Sequence, residues 1–165
     1  MTSQVQTGRF TALPAPEGSA VFLIGMRVNS LHRPDVWMPA AAAMPRMLRH
    51  LSRHPESGLL GFHSWFGRIT IILSYWTCAE DLERFATDAD APHAPAWRAF
   101  NQKLSRGPHV GIWHETYVIR SESYESIYRN MPLFGLAAAT GTEPAKSTRW
   151  RDRMSGTATP RARVH

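Results

Sequence analysis

Histidines and tryptophans carry most of the chemistry this chain can offer. His93 and Trp97 stand four residues apart, just after a proline-containing break. On a helix that spacing puts imidazole and indole on one face. The imidazole can then donate, accept or shuttle a proton, and the indole N–H can orient a ligand oxygen. The same spacing also suits an N-terminal His beside a core Trp. Phe100 extends that side by one more turn. His114 falls on the apolar face of a strand pattern, as either a hydrogen-bonded core residue or a further catalytic imidazole. Its neighbour Glu115 must point the other way, so the two make no dyad within one chain. Arg27 and Asn29 end an apolar strand and suit a polar ligand group or a rim. Trp37 and Trp76, with Phe100, supply aromatic wall for a substrate. His63 shares a strand face with Trp65, and a neutral His in an apolar cavity is the commonest protein ligand of haem iron. Cys78 opens a helix, where an exposed thiol would have its pKa lowered, although the spacing suits a packed small residue better.

These residues must be placed by regular elements. Ala20 to Asn29 reads as a strand, greasy on its even positions throughout. Asp35 to Ser52 reads as a helix with Asp35 as cap and a stripe of Trp37, Ala41, Met44, Leu48 and Leu51. Pro45 in its middle predicts a kink. Leu59–Phe66 and Arg68–Trp76 read as a hairpin turning at Gly67. Thr77 and Glu80 make a capping-box pattern ahead of a short helix. A further helix from near His93 to Leu104 and a strand over His109–Ile119 complete the order β-α-β-β-α-β. Tyr124–Tyr128 reads as a helical turn. The order predicts an α+β, ferredoxin-like domain: a four-stranded antiparallel sheet with helices on one face. The bare second face predicts a homodimer. Residues 1–19 read as an N-terminal arm, 20–140 as the domain, and 141–165 as a basic, flexible tail.

Composition narrows the classes. The chain has 165 residues, 43% apolar and 19% charged, with a net charge of +6. That size suits one domain with a real core. From Gly141 onward six basic residues face two acids, so +4 of the net charge lies in the tail and +2 on the body. The body has no basic stripe interleaved with aromatics and no zinc-finger or helix-turn-helix pattern, which argues against nucleic acid. No apolar run approaches the roughly 18–20 residues of a spanning helix, and MTSQVQTGRF does not read as a signal peptide. A lone cysteine rules out an internal disulfide and any multi-cysteine metal site. A cytoplasmic location is the expectation, and no metal site is expected. No nucleotide-binding glycine fingerprint, P-loop or nucleophile elbow is present.

The blocks FLIGMRVN, MPRML, PESGLLG, YWTCAEDLERFA, HAPAWRAFN, VGIWHETYVI and YESIYRNMPLFGLAAATG, taken in order over Phe22–Gly141, resemble one family. It is the monooxygenase-like family related to antibiotic-biosynthesis monooxygenases. The resemblance implies a dimeric α/β barrel whose relatives in some cases oxidise aromatic polyketides with O₂ and neither metal nor flavin. It implies a small-molecule substrate and no cofactor. A fainter resemblance, through YWTCAEDLERFA and HAPAW, runs to the haem aldoxime dehydratases, in which the matching imidazole acts on the distal side of haem. By that match His93 is the catalytic imidazole, with haem as the alternative cofactor and His63 as its ligand only if haem is bound. A non-catalytic small-molecule-binding barrel is the third expectation.

Overall fold

The long apolar runs become strands of one antiparallel sheet, and their alternation decides which side is covered. The protein is described here by a computed structural model over residues 4–90, 94, 95, 98, 102, 107–120 and 123–145. Its elements are β1 (Gln6–Ala12), β2 (Ala20–Val28), α1 (Pro34–Arg53), β3 (Leu59–Trp65), β4 (Ile69–Trp76), α2 (Ala79–Thr87), β5 (Val110–Val118), β6 (Tyr128–Met131), α3 (Leu136–Thr140) and β7 (Thr142–Pro144). The larger sheet has the order β3-β4-β2-β5, all antiparallel. That is the ferredoxin-like order, and the α+β class read from the sequence holds.

Register assigns every side chain to a face. On the helix side, Leu59, Trp76, Ala20 and Val118 form one cross-strand row. The next rows are Phe62–Ser74–Phe22–Thr116, Ser64–Ile72–Ile24–His114 and Thr70–Met26–Ile112. The core is built here. Ala20, Leu51, Trp76 and Leu82 form one buried cluster, and Met26, Val28, Val36 and Val110 another. On the second side the rows are Tyr75–Val21–Tyr117, His63–Leu73–Leu23–Glu115 and Trp65–Ile71–Gly25–Trp113.

Local chemistry explains the helix ends, with three corrections to the sequence reading. Helix α1 starts without a side-chain cap. Asp35 instead sits in the first turn and accepts two bonds from the Arg33 guanidinium, at 2.9 and 2.8 Å. Its buried stripe is Val36, Leu48 and Leu51, while Ala41 is exposed. The α2 cap lies one residue later than the capping box predicts. Cys78 is extended (φ −153°, ψ 170°), and its Sγ accepts the Asp81 N–H at 3.4 Å. The Thr77 hydroxyl turns away to the Gly58 carbonyl at 3.0 Å. Tyr124–Tyr128 is not a helical turn: it leads into strand β6.

A second, three-stranded sheet has the order β6-β1-β7. Its middle strand comes from the stretch read as an arm, and β7 from the start of the stretch read as a tail. Phe10 pairs with both Tyr128 and Pro144, and its ring stacks on Tyr128 at 5.2 Å. Phe10, Ala12, Leu136 and Ala137 form the buried cluster beneath. Among the described residues no helix is long and apolar enough to cross a membrane.

Gly25 marks a close approach on the second side. A Cβ there would collide with the Trp113 indole and the Thr70 carbonyl oxygen. The indole can swing aside, but the carbonyl belongs to the β4 ladder. Gly25→Ala therefore costs about 1–3 kcal/mol, the usual price of overpacking. Urea denaturation of the variant measures it.

Candidate functional site

The parity of the strands separates the predicted residues into two groups. His114, Trp37 and Trp76 lie on the helix side; Arg27 and His63 lie on the second side. His93, Trp97 and Phe100 lie outside the described residues. Ala94, the residue after His93, is 8% exposed.

His114 is exposed on β5, with the Phe22 ring 5.9 Å away across the strand pair. Ile24 is its direct partner and Thr116 the next residue on its face. This is an exposed imidazole flanked by apolar and aromatic side chains on the helix side of the sheet. Glu115 points to the opposite face, as alternation requires. There it accepts the Tyr117 hydroxyl at 2.8 Å, a bond that holds that phenol above its ordinary pKa.

Trp37 packs against the Met26–Val110 cluster and donates its indole N–H to Leu31 O at 3.4 Å. Trp76 is 2% exposed, and its N–H goes to Ser74 Oγ at 3.0 Å. It is a core side chain rather than an open wall. Arg27 is exposed on the side away from His114. The Asn29 amide donates to Pro108 O at 2.9 Å, and its backbone N–H to His109 O at 2.9 Å. It ties β2 to the start of β5, so its amide is already committed to the fold.

His63 fails as a haem ligand on its own geometry. Its Nε2 accepts the Gly135 N–H at 2.8 Å, and Phe134 lies over the ring at 4.2 Å between centroids. A lone pair engaged in that bond is not available to iron, so the site does not fit the group at this residue. The bond fixes the neutral ring, with its proton on Nδ1. Burial also pushes the His63 pKa below its ordinary value. A His with a depressed folded pKa stabilises the fold above its unfolded value, near 6.5. That contribution is lost as pH falls through the lower folded value. As pH falls below about 6.5 the Tm of the protein should therefore fall more steeply than that of His63→Leu. Calorimetry across that range measures it, and parallel curves would refute it.

Cys78 is no nucleophile by environment. The Asp81 N–H favours the thiolate, but burial and the Asp81 and Glu80 carboxylates outweigh it and hold the thiol above its ordinary value. Among the described residues no cluster of three metal-ligating side chains occurs.

The sequence reading missed a hollow. On the far side of the sheet, Val21, Tyr75 and Tyr117 floor an open hollow of about 570 Å³, lined also by Val118, Ile119, residues 123–128 and Leu136. Tyr75 is pushed up to about 12, chiefly by burial, so its hydroxyl keeps its proton. The clustering of tyrosines at 117, 124 and 128 was the available signal, but nothing local says that the chain folds back over the sheet there.

A structural neighbour is an aldoxime dehydratase in complex with butyraldoxime, at a TM-score of 0.59 and 13% identity, over 86% of this chain and 44% of that one. It shows a shared fold. The cofactor-independent oxygenase SnoaB of Streptomyces nogalater aligns over 62% of this chain and 94% of its own, at a TM-score of 0.43 and 17% identity. Monooxygenase af470 of Aspergillus fumigatus is 34% identical over 151 residues, 78% of this chain. The chain spans about half the length of that relative, 52%. The family model described as monooxygenase af470-like matches residues 19–136. That stretch takes in all four strands of the larger sheet with α1 and α2, and on this match the chain belongs to the monooxygenase af470-like family.

Proposed function

We propose that the protein is a small-molecule monooxygenase that needs no resident cofactor and acts on an aromatic or polyketide-type substrate of secondary metabolism. The family match across residues 19–136 carries the reading. The exposed imidazole of His114 beside Phe22 supports it from the geometry. The substrate supplies the electrons. His93 is the base that forms the enolate or phenolate, and the Trp97 N–H stabilises the anion. His114 holds or relays a proton from β5. The anion passes an electron to O₂ and the radical pair combines. A substrate CH₂ becomes C=O: two C–H bonds break, one oxygen atom stays on carbon, and the other leaves as water with both hydrogens. No external reductant enters.

The reading includes a homodimer closed over the second face. Trp65 and Ile69 stand 43% and 48% exposed there, beside Leu23, Ile71 and Trp113, which are too apolar to leave to water. Sedimentation tests the dimer. The chemistry is tested with anthrone and related phenolic ketones under ¹⁸O₂. One labelled atom should enter the product and one the water, with one O₂ consumed per substrate. An absolute need for added haem, flavin or metal would overturn cofactor independence.

A further inference from the structure

The cavity on the second side is separated from His114 by the sheet itself, and its hydrogen bonds specify a guest. Three of its phenols are held by backbone donors. Tyr124 Oη accepts the Ala15 N–H at 2.8 Å, and Tyr128 Oη accepts the Ala137 N–H at 3.3 Å. Tyr75 is bonded to the Leu136 backbone. A phenol oxygen that accepts an N–H still has its own proton to donate. Among the described residues these three protons meet no acceptor. The fourth phenol, Tyr117, already donates to Glu115.

The rest of the lining sets charge and polarity. Val21, Val118, Ile119, Ile127 and Leu136 make it apolar, and Glu125 lies on its wall. No Lys, Arg or His lines it among the described residues, in a chain whose net charge is +6. No cation among the described residues would meet an anion desolvated there, so anions are disfavoured. An apolar body with a neutral acceptor fits both the walls and the donors.

We propose that this cavity is a second small-molecule site, which takes a neutral, largely apolar molecule carrying carbonyl oxygen. Tyr75, Tyr124 and Tyr128 are its donors. The site stands independently of any oxygenation on the helix side.

The test is binding of 9-fluorenone to the full chain, against fluorene, which has the same skeleton without the oxygen, and against 9-fluorenone-2-carboxylate. Fluorenone should bind about tenfold more tightly than fluorene, the worth of one or two hydrogen bonds, and the carboxylate more weakly than fluorenone. Tyr124→Phe and Tyr128→Phe should each narrow the ratio of fluorenone to fluorene. Ile127→Trp, which fills the cavity and leaves the tyrosine bonds intact, should abolish binding of both. Nuclear Overhauser contacts should run from the probe to the Val21, Ile119 and Ile127 methyls. Contacts to Ile24 and Ile112 instead, equal affinity for fluorenone and fluorene, or no binding because a second copy fills the cavity would each overturn the proposal.

Discussion

On the proposed function, His93→Ala should lower kcat for oxygenation about 100- to 10,000-fold, the usual contribution of a positioned general base, and leave KM within a few-fold. Driving force sets the size of the effect. An unperturbed imidazole titrates near 6.5, close to working pH, so it is both largely unprotonated and basic enough to take the substrate proton. The rising limb of the pH–rate profile should therefore vanish in the variant, and added imidazole should restore part of the rate. His114→Ala is the necessary partner experiment. If His114 only relays a proton, its loss should cost less than the loss of His93. The opposite order would move the base to β5. Single-turnover measurements under O₂ separate this step from product release.

Trp76→Ala should destabilise the protein by about 3–5 kcal/mol, the largest effect expected of any one core change here. Trp76 is 2% exposed, shares a cluster with Ala20, Leu51 and Leu82, and meets Phe85 at 5.5 Å between ring centroids. Its removal opens a cavity where β4, α1 and α2 meet. It also leaves Ser74 Oγ, which donates to Phe22 O at 3.1 Å, without its indole donor. Trp76→Phe keeps most of the volume and should cost less than half as much. Since whole domains are stable by only about 5–15 kcal/mol, the alanine variant should be largely unfolded in moderate urea. Equal midpoints for the two variants would contradict this account.

The larger sheet was legible because its strands announce themselves. Ala20–Val28 is a near-continuous run of β-formers whose alternate positions take opposite faces, and Leu59–Trp76 turns back on itself at one glycine. The same alternation correctly set His114 and Glu115 on opposite faces, a statement that needs no partner strand. The smaller sheet was not legible. Its strands have seven, four and three residues, too few for a period, and β1 carries Gly8, which weakens its strand signal. Its pairings join residues more than a hundred positions apart, which no local pattern reports. The His63–Gly135 bond spans 72 positions. Thus a residue that looks like an open ligand in the sequence is already engaged in the fold. The α2 cap was off by one for a smaller reason: both Thr77 and Cys78 can accept an N–H, and the choice depends on Gly58, which arrives from another loop.

Strand β1 has partners only near the other end of the described chain, at Tyr128 and Pro144. During synthesis it emerges early and waits while about 118 further residues are added before Tyr128 exists, on the order of 6–24 seconds at ribosomal speed. For that interval its unpaired amides and the Phe10 ring are open to passing chains or to a chaperone. The four-stranded sheet can assemble in the meantime, so β6 and β7 arrive with a finished scaffold on a strand made before it.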